Sequence, residues 1–209
     1  MLMINLTSVV QRRSNLLKHI FAALVIVSLT ACGTTSVGLK YTPPPTLTKV
    51  SPSAQSLMVG TFLDSRGEPA NWLGAIRGGF GNPLKNLESD RPVAELVKAA
   101  FSDGLRARGV TIDEAAAQYQ ITGTINKLDC NQIVRREANV EIEVTVLDKS
   151  GHARFTRTYS ATNLEGSLLS VSTGVFASVD DLRVTLEKTL REAVDKALDD
   201  SALRAALQI

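Results

Sequence analysis

Apolar residues along this chain fall into patterns of different period. Ile20 to Leu29 is a nearly uncharged apolar run, and Leu57 to Leu63 a shorter one that ends at Asp64-Ser65-Arg66-Gly67. The second reads as a buried strand followed by a turn. Val93, Leu96, Val97, Ala100, Phe101 and Leu105 recur at helical spacing behind Asp90 and Pro92, and Gly109 closes the pattern. Gly104 weakens that helix by about 1 kcal/mol relative to Ala and points to a close crossing over the sheet. Three period-two segments follow. Tyr119, Ile121, Gly123 and Ile125 form the first; Ala138, Val140, Ile142, Val144 and Val146 the second; Phe155, Arg157, Tyr159 and Ala161 the third. Alternation of this kind suits antiparallel strands with one wet face. A last helix opens at Val179 behind Ser178 as N-cap, with Leu182, Leu186, Leu190, Val194, Ala197 and Leu198 as its stripe. The order β-α-β-β-β-α predicts an α+β fold, a largely antiparallel sheet with two helices on one face.

Three stretches lack a period. Residues 33–53 are rich in Thr, Ser, Pro and Gly around Pro43-Pro44-Pro45, which suits an extended spacer. The alternation Val37, Leu39, Tyr41 offers a short edge strand as the other reading. Ser65 to Ser89 is far longer than the usual connection of about 4 to 6 residues. It holds Trp72, Ile76 and Phe80 among glycines, and is either folded back on the domain or a partner-binding loop. Its glycines lack the Lys-Ser/Thr or acidic ligand that a nucleotide loop needs. Gly166 to Ser178, with Leu168, Leu169, Val171, Val175 and Phe176, is a second loop or an ill-patterned strand.

The N-terminus carries Arg12, Arg13 and Lys18 with no acid, and then the Ile20–Leu29 run. That run is about half the ~20 apolar residues a membrane span requires, so it reads as a signal-peptide core. It closes on Leu29-Thr30-Ala31-Cys32, which resembles a lipobox: cleavage after Ala31 and lipidation of Cys32. Arg12-Arg13 also resembles a twin-arginine signal but lacks its apolar partner residue, so ordinary export is expected. The predicted division is a signal peptide at 1–31, a lipidated N-terminus and tether at 32–53, and one periplasmic domain at 54–209. Gly33 stands where an Asp would, by the enterobacterial sorting rule, retain the protein in the inner membrane. A lipid anchor in the outer membrane, facing the periplasm, is therefore expected.

Removing that segment takes three of the chain's 23 basic residues and none of its 21 acidic ones, so the mature part has a formal charge of −1. Nucleic-acid binding loses its electrostatic basis. With Cys32 lipidated, Cys130 has no intramolecular partner, and His152, in a turn after Gly151, is the one mature imidazole. No nucleophile–base site and no metal site can be assembled from these, and no cofactor is expected. Cys130 reads as a small semi-buried residue at a strand end. Glu141 and Glu143 share the wet face of their strand, so they read as solvated residues and not as an acid/base pair.

Pro83-Leu84 and Asp90-Arg91-Pro92, leading into a helix that ends Leu105-Arg106-Ala107-Arg108-Gly109, resemble the YajG-type family of bacterial lipoproteins. The strand Tyr119-Gln120-Ile121-Thr122-Gly123-Thr124-Ile125 and the later Tyr159-Ser160-Ala161 with Glu165-Gly166 extend the likeness. The family carries over no catalytic or ligand residue. The expectation is a non-enzymatic binding or assembly accessory of the cell envelope, with an envelope protein or complex as partner. The other class is a binder of lipid or another apolar small molecule between helices and sheet, which a cavity of about 300 Å³ or more would favour.

Overall fold

In the computed structural model, residues 33–47, 49–50, 56–166 and 178–209 are described. Leu29 to Cys32, and residues 167–177 of the second expected loop, lie outside them. Seven strands are present among the described residues: β1 Gly33–Val37, β2 Leu57–Asp64, β3 Trp72–Arg77, β4 Pro83–Ser89, β5 Tyr119–Gln132, β6 Arg136–Asp148 and β7 Ala153–Glu165. The helices are α1 Val93–Ala107, α2 Val179–Leu198 and α3 Ser201–Leu207. The sheet runs β1-β4-β3-β5-β6-β7, and β2 also pairs with β5.

The fold is α+β, but the sheet is mixed: long antiparallel ladders are joined by parallel pairs, and the described residues form three helices. β2 and β3 each run parallel to β5 along the same edge, β2 beside Tyr119 to Ile125 and β3 beside Cys130 to Gln132. The β5–β6 and β6–β7 hairpins are antiparallel, as alternation implied. Nothing in local periodicity encodes the direction of a partner strand. The expected loop Ser65–Ser89 is mostly the β3–β4 hairpin, and a third helix follows a break at Asp199-Asp200. The edge strand expected from Val37, Leu39 and Tyr41 lies earlier, at Gly33–Val37, while Leu39 and Tyr41 follow it outside any strand and are buried in the core, so that part of the expected tether packs on the domain.

Strand β5 is longer than its period-two pattern because it changes phase. Ile121 and Ile125 face the core in its first half, Leu128, Cys130 and Gln132 in its second. The register slips between Ile125 and Lys127, leaving Asn126 as the extra residue of a bulge. A bulge turns the following side chains to the opposite face, so a strict alternation count stops there.

The same position is where the β2 ladder ends and the β3 ladder begins. Backbone carbonyls at such a changeover lose their sheet partners. The guanidinium of Arg66, with 3% of its side chain exposed, occupies the junction. Its Nη1 donates to the carbonyls of Trp72 at 2.7 Å and Leu128 at 2.9 Å. Nε and Nη2 grip the Asp64 carboxylate, both at 2.8 Å. That pairing holds the Asp64 carboxyl below its ordinary pKa, with the Arg66 hydrogen bond as the largest cause.

The helices cover the face that carries Ile121, Ile125, Leu128, Val140, Ile142 and Val144, and the apolar stripes of α1 and α2 are wholly buried there. Ser178 caps α2, its hydroxyl accepting from the Asp180 N–H. Gly104 does mark a close crossing, but against α2 and not the sheet. A Cβ there would sit 2.6 Å from Leu198 Cδ1. One turn on, the buried Arg108 donates to Asp195 of α2, to Asp199 at its C-cap, to the Tyr41 hydroxyl and to the Gly104 carbonyl. Burial and the Asp195 hydrogen bond push the Tyr41 hydroxyl up to about 12.

Arg66→Ala leaves two strand carbonyls and a carboxylate unmatched and is expected to cost about 3–5 kcal/mol, as for breaking a buried pair. Arg66→Lys recovers only part of this, because one ammonium cannot reproduce the planar fork. Urea unfolding of the three proteins checks both; equal stability of the Lys variant and the parent would contradict it.

Candidate functional site

Trp72, Ile76 and Phe80, the residues picked out by sequence, are separated by the hairpin that contains them. Trp72 opens β3 and is half-buried, its N–H donating to the Pro69 carbonyl. Ile76 is wholly buried in the core, so it presents no surface to a partner. Phe80 stands fully exposed at the hairpin tip. The i, i+4 spacing of the three suggests one face, but a bulge at Gly74 breaks the alternation between Trp72 and Ile76. Gly74 has φ +146°, and a Cβ on it would lie 1.8 Å from the Cys130 carbonyl oxygen. Only glycine permits β3 to approach β5 that closely.

The sheet face away from the helices holds an open groove of about 410 Å³ lined by Arg66, Trp72, Arg77, Lys127, Asp129 and Asn131, among others. Its polar groups form a chain. Arg77 Nε donates to Asn131 Oδ1 at 3.3 Å, and Asn131 Nδ2 donates to Asp129 Oδ2 at 2.8 Å. Burial is the largest influence on Asp129 and raises its pKa; Asn131 opposes the shift and Glu137 adds to it. A second open groove, about 470 Å³, shares Asp129 and Asn131 and continues to Ile133, Val134 and Leu164 at the sheet's end. Sequence reasoning missed Asp129, Asn131 and Arg77 because their outward direction depends on the β5 bulge and the Gly74 bulge. Neither lining contains a serine, a cysteine or a histidine. The arrangement offers charge pairing, hydrogen bonds and apolar contact at an accessible surface.

The remaining candidates lie apart from these grooves. Cys130 is not at a semi-buried strand end but fully buried within β5, where burial pushes its thiol up to about 12. His152 is exposed in the β6–β7 turn, its N–H donating to Asp148 Oδ1. Glu141 and Glu143 lie on the outer face of β6, and Glu141 meets Lys127 across the ladder at 3.6 Å. Among the described residues no group of three or more His, Cys, Asp and Glu is placed to hold a metal ion. Among the same residues no helix is long and apolar enough to cross a membrane.

The α+β fold, a mixed sheet with helices on one face, is similar to that of solved proteins. The crystal structure of a Xanthomonas campestris protein of the DUF330 family is similar at TM-score 0.59 and 12% identity. That match covers 82% of this chain and 96% of the other. The crystal structure of an uncharacterized protein gives TM-score 0.51 and 9% identity over 79% and 95% of the two chains. At such identities the likeness is one of fold. A search of curated proteins found no match. Residues 46–208 match the family model Lipoprotein_16, described as uncharacterized lipoprotein, and the chain belongs to that family, the YajG family.

The shifted groups give a pH-dependent prediction. Burial raises the folded-state pKa of Asp129 above its unfolded value, so the ionised carboxylate lowers stability near neutral pH. That loss disappears as pH falls through the raised value. Asp129→Asn is expected to raise the melting temperature at about pH 7 and to leave it unchanged at about pH 4, near the ordinary carboxylate pKa. A thermal scan at the two pH values checks the sign. Cys130 is expected to react with a thiol reagent only as the chain unfolds, and Cys130→Ala to cost about 1 kcal/mol. Labelling of the native protein faster than its unfolding would contradict this.

Proposed function

We propose that this protein is a non-enzymatic accessory lipoprotein of the bacterial cell envelope. Cys32 carries the lipid anchor at the periplasmic face of the outer membrane, and the groove on the open sheet face binds an envelope protein. The observation that carries the reading is the groove itself. A half-buried tryptophan stands beside Arg77, Lys127 and Asp129 on a face that no helix among the described residues covers. Aromatic and arginine side chains in such a setting supply most of the energy in protein interfaces. Membership of a lipoprotein family supports the anchor.

The rival reading, an apolar small molecule or lipid held between helices and sheet, has less support. The stripes of α1 and α2 and the inner sheet face form one contiguous buried cluster, so their own side chains fill that space. An enzymatic reading has less support: the groove linings hold no serine, cysteine or histidine, and Asp129, which both linings share, is hydrogen-bonded by Asn131.

Cys32→Ser is expected to abolish acyl labelling and to remove the protein from outer-membrane fractions of a density gradient. Unchanged labelling would overturn the anchor. Trp72→Ala and Lys127→Glu are expected to eliminate the main crosslinked partner in intact cells, with little change in melting temperature for Lys127→Glu. Retention of the partner in both variants would overturn the groove as the recognition surface.

A further inference from the structure

The two hairpin tips and the start of β1 emerge from one end of the sheet. The strand registers define a row across it: Leu164 opposite Glu137, Glu137 opposite Asn131, Asn131 beside Ala75, Ala75 opposite Asn86. Beyond that row lie the β3–β4 tip with Phe80 and the β5–β6 tip with Ile133 and Val134. Phe80 is fully exposed, and Ile133, Val134 and Leu164 keep 50, 44 and 49% of their surface in solvent. Exposed apolar side chains gathered at one end mark a surface that meets another apolar phase.

The direction of β1 brings the chain's N-terminal side to the same end. β1 pairs with β4, and the Asp90 N–H donates to the Val37 carbonyl. An antiparallel run from that contact would carry residues 33–36 past the end of β4, so β1 runs parallel to β4. Val37 then lies by Ser89 and Thr34 level with Asn86, in the row just defined. Cys32 is only two residues from Thr34, a reach of at most about 7 Å.

We propose that this end of the sheet is a membrane-seating surface. The Phe80 and Ile133-Val134 tips enter the interface of the bilayer that the Cys32 lipid occupies. The inference rests on the lipid anchor of the preceding section and adds the domain's orientation and its bilayer contacts. A strand that starts at the residue after the anchor leaves no slack for a freely swinging domain. Apolar tips beside a lipid add area-dependent binding to the chain's own acyl groups. Arg77, Lys85 and Arg135 flank the tips, basic groups of the kind anionic headgroups attract. Asp129 and Glu137 are acidic residues in the same groove lining as Val134. The orientation leaves the Trp72 groove alongside the bilayer, open to a periplasmic partner.

The test places an environment-sensitive fluorophore on Phe80→Cys, Val134→Cys or His152→Cys in the lipidated chain. Each is reconstituted in vesicles of phosphatidylethanolamine and phosphatidylglycerol. Native Cys130 is buried, and His152 lies in the opposite turn, ~40 Å away along β6 at about 3.3 Å per residue. The expected result is a blue shift and quenching by nitroxide-labelled acyl chains at positions 80 and 134. At 152 iodide alone should quench. Flotation with the vesicles but with unshifted, iodide-quenched probes at 80 and 134 overturns the seating while leaving the anchor intact. Acyl-chain quenching at all three positions overturns the end-on orientation. Failure to float overturns the anchor reading and the seating with it.

Discussion

The guanidinium of Arg66 sits where two parallel ladders share one edge of β5. Its hydrogen bonds to the Trp72 and Leu128 carbonyls fill the gap between them. Without that fork, β2 and β3 could not follow one another along β5 without stranding buried acceptors, each of which costs about 1–3 kcal/mol when unmatched. The Asn126 bulge, the Gly74 contact and the Asp64–Arg66 pair all gather around this junction, so the sheet's direction change and its side-chain phase are fixed together. The outward groove, with Arg77, Asp129 and Asn131 on its floor, is a direct product of that phase.

On the other face, Arg108 does comparable service for the helices. It joins the end of α1 to Asp195 of α2, to the capping Asp199 and to Tyr41, while Gly104 lets the two helices touch. Tyr41 and Leu39 thereby tie the segment that follows β1 to the core. This has a mechanical consequence for a lipidated chain: force or restraint applied near residue 34 passes into the sheet and helices without a spacer.

The two surfaces therefore divide the work. Helices and the inner sheet face supply stability through a filled core. The outer face and one end of the sheet carry the Trp72 groove and the apolar tips. The Cys130 thiol, pushed up to about 12 by burial, belongs to the core, and His152 stands in the turn at the opposite end of β6.

The sequence by itself determined the elements whose signals are local. Both long helices follow 3.6-residue stripes, with Ser178 as a cap and Gly109 as a stop. The β5 start, β6 and β7 follow period two, and Leu29 to Cys32 reads as an export and lipidation signal without reference to any fold. Only the tertiary structure decided the parallel pairing of β2 and β3, since a strand's own pattern does not name its partner. The β3–β4 hairpin escaped because Gly74 breaks its alternation, and the second half of β5 because Asn126 reverses its phase. Trp72, Ile76 and Phe80 looked equivalent in sequence; the bulge made one a groove wall, one a core residue and one an exposed tip. Asp129 and Asn131 became site residues for the same reason, since which face a strand residue occupies depends on every bulge that precedes it.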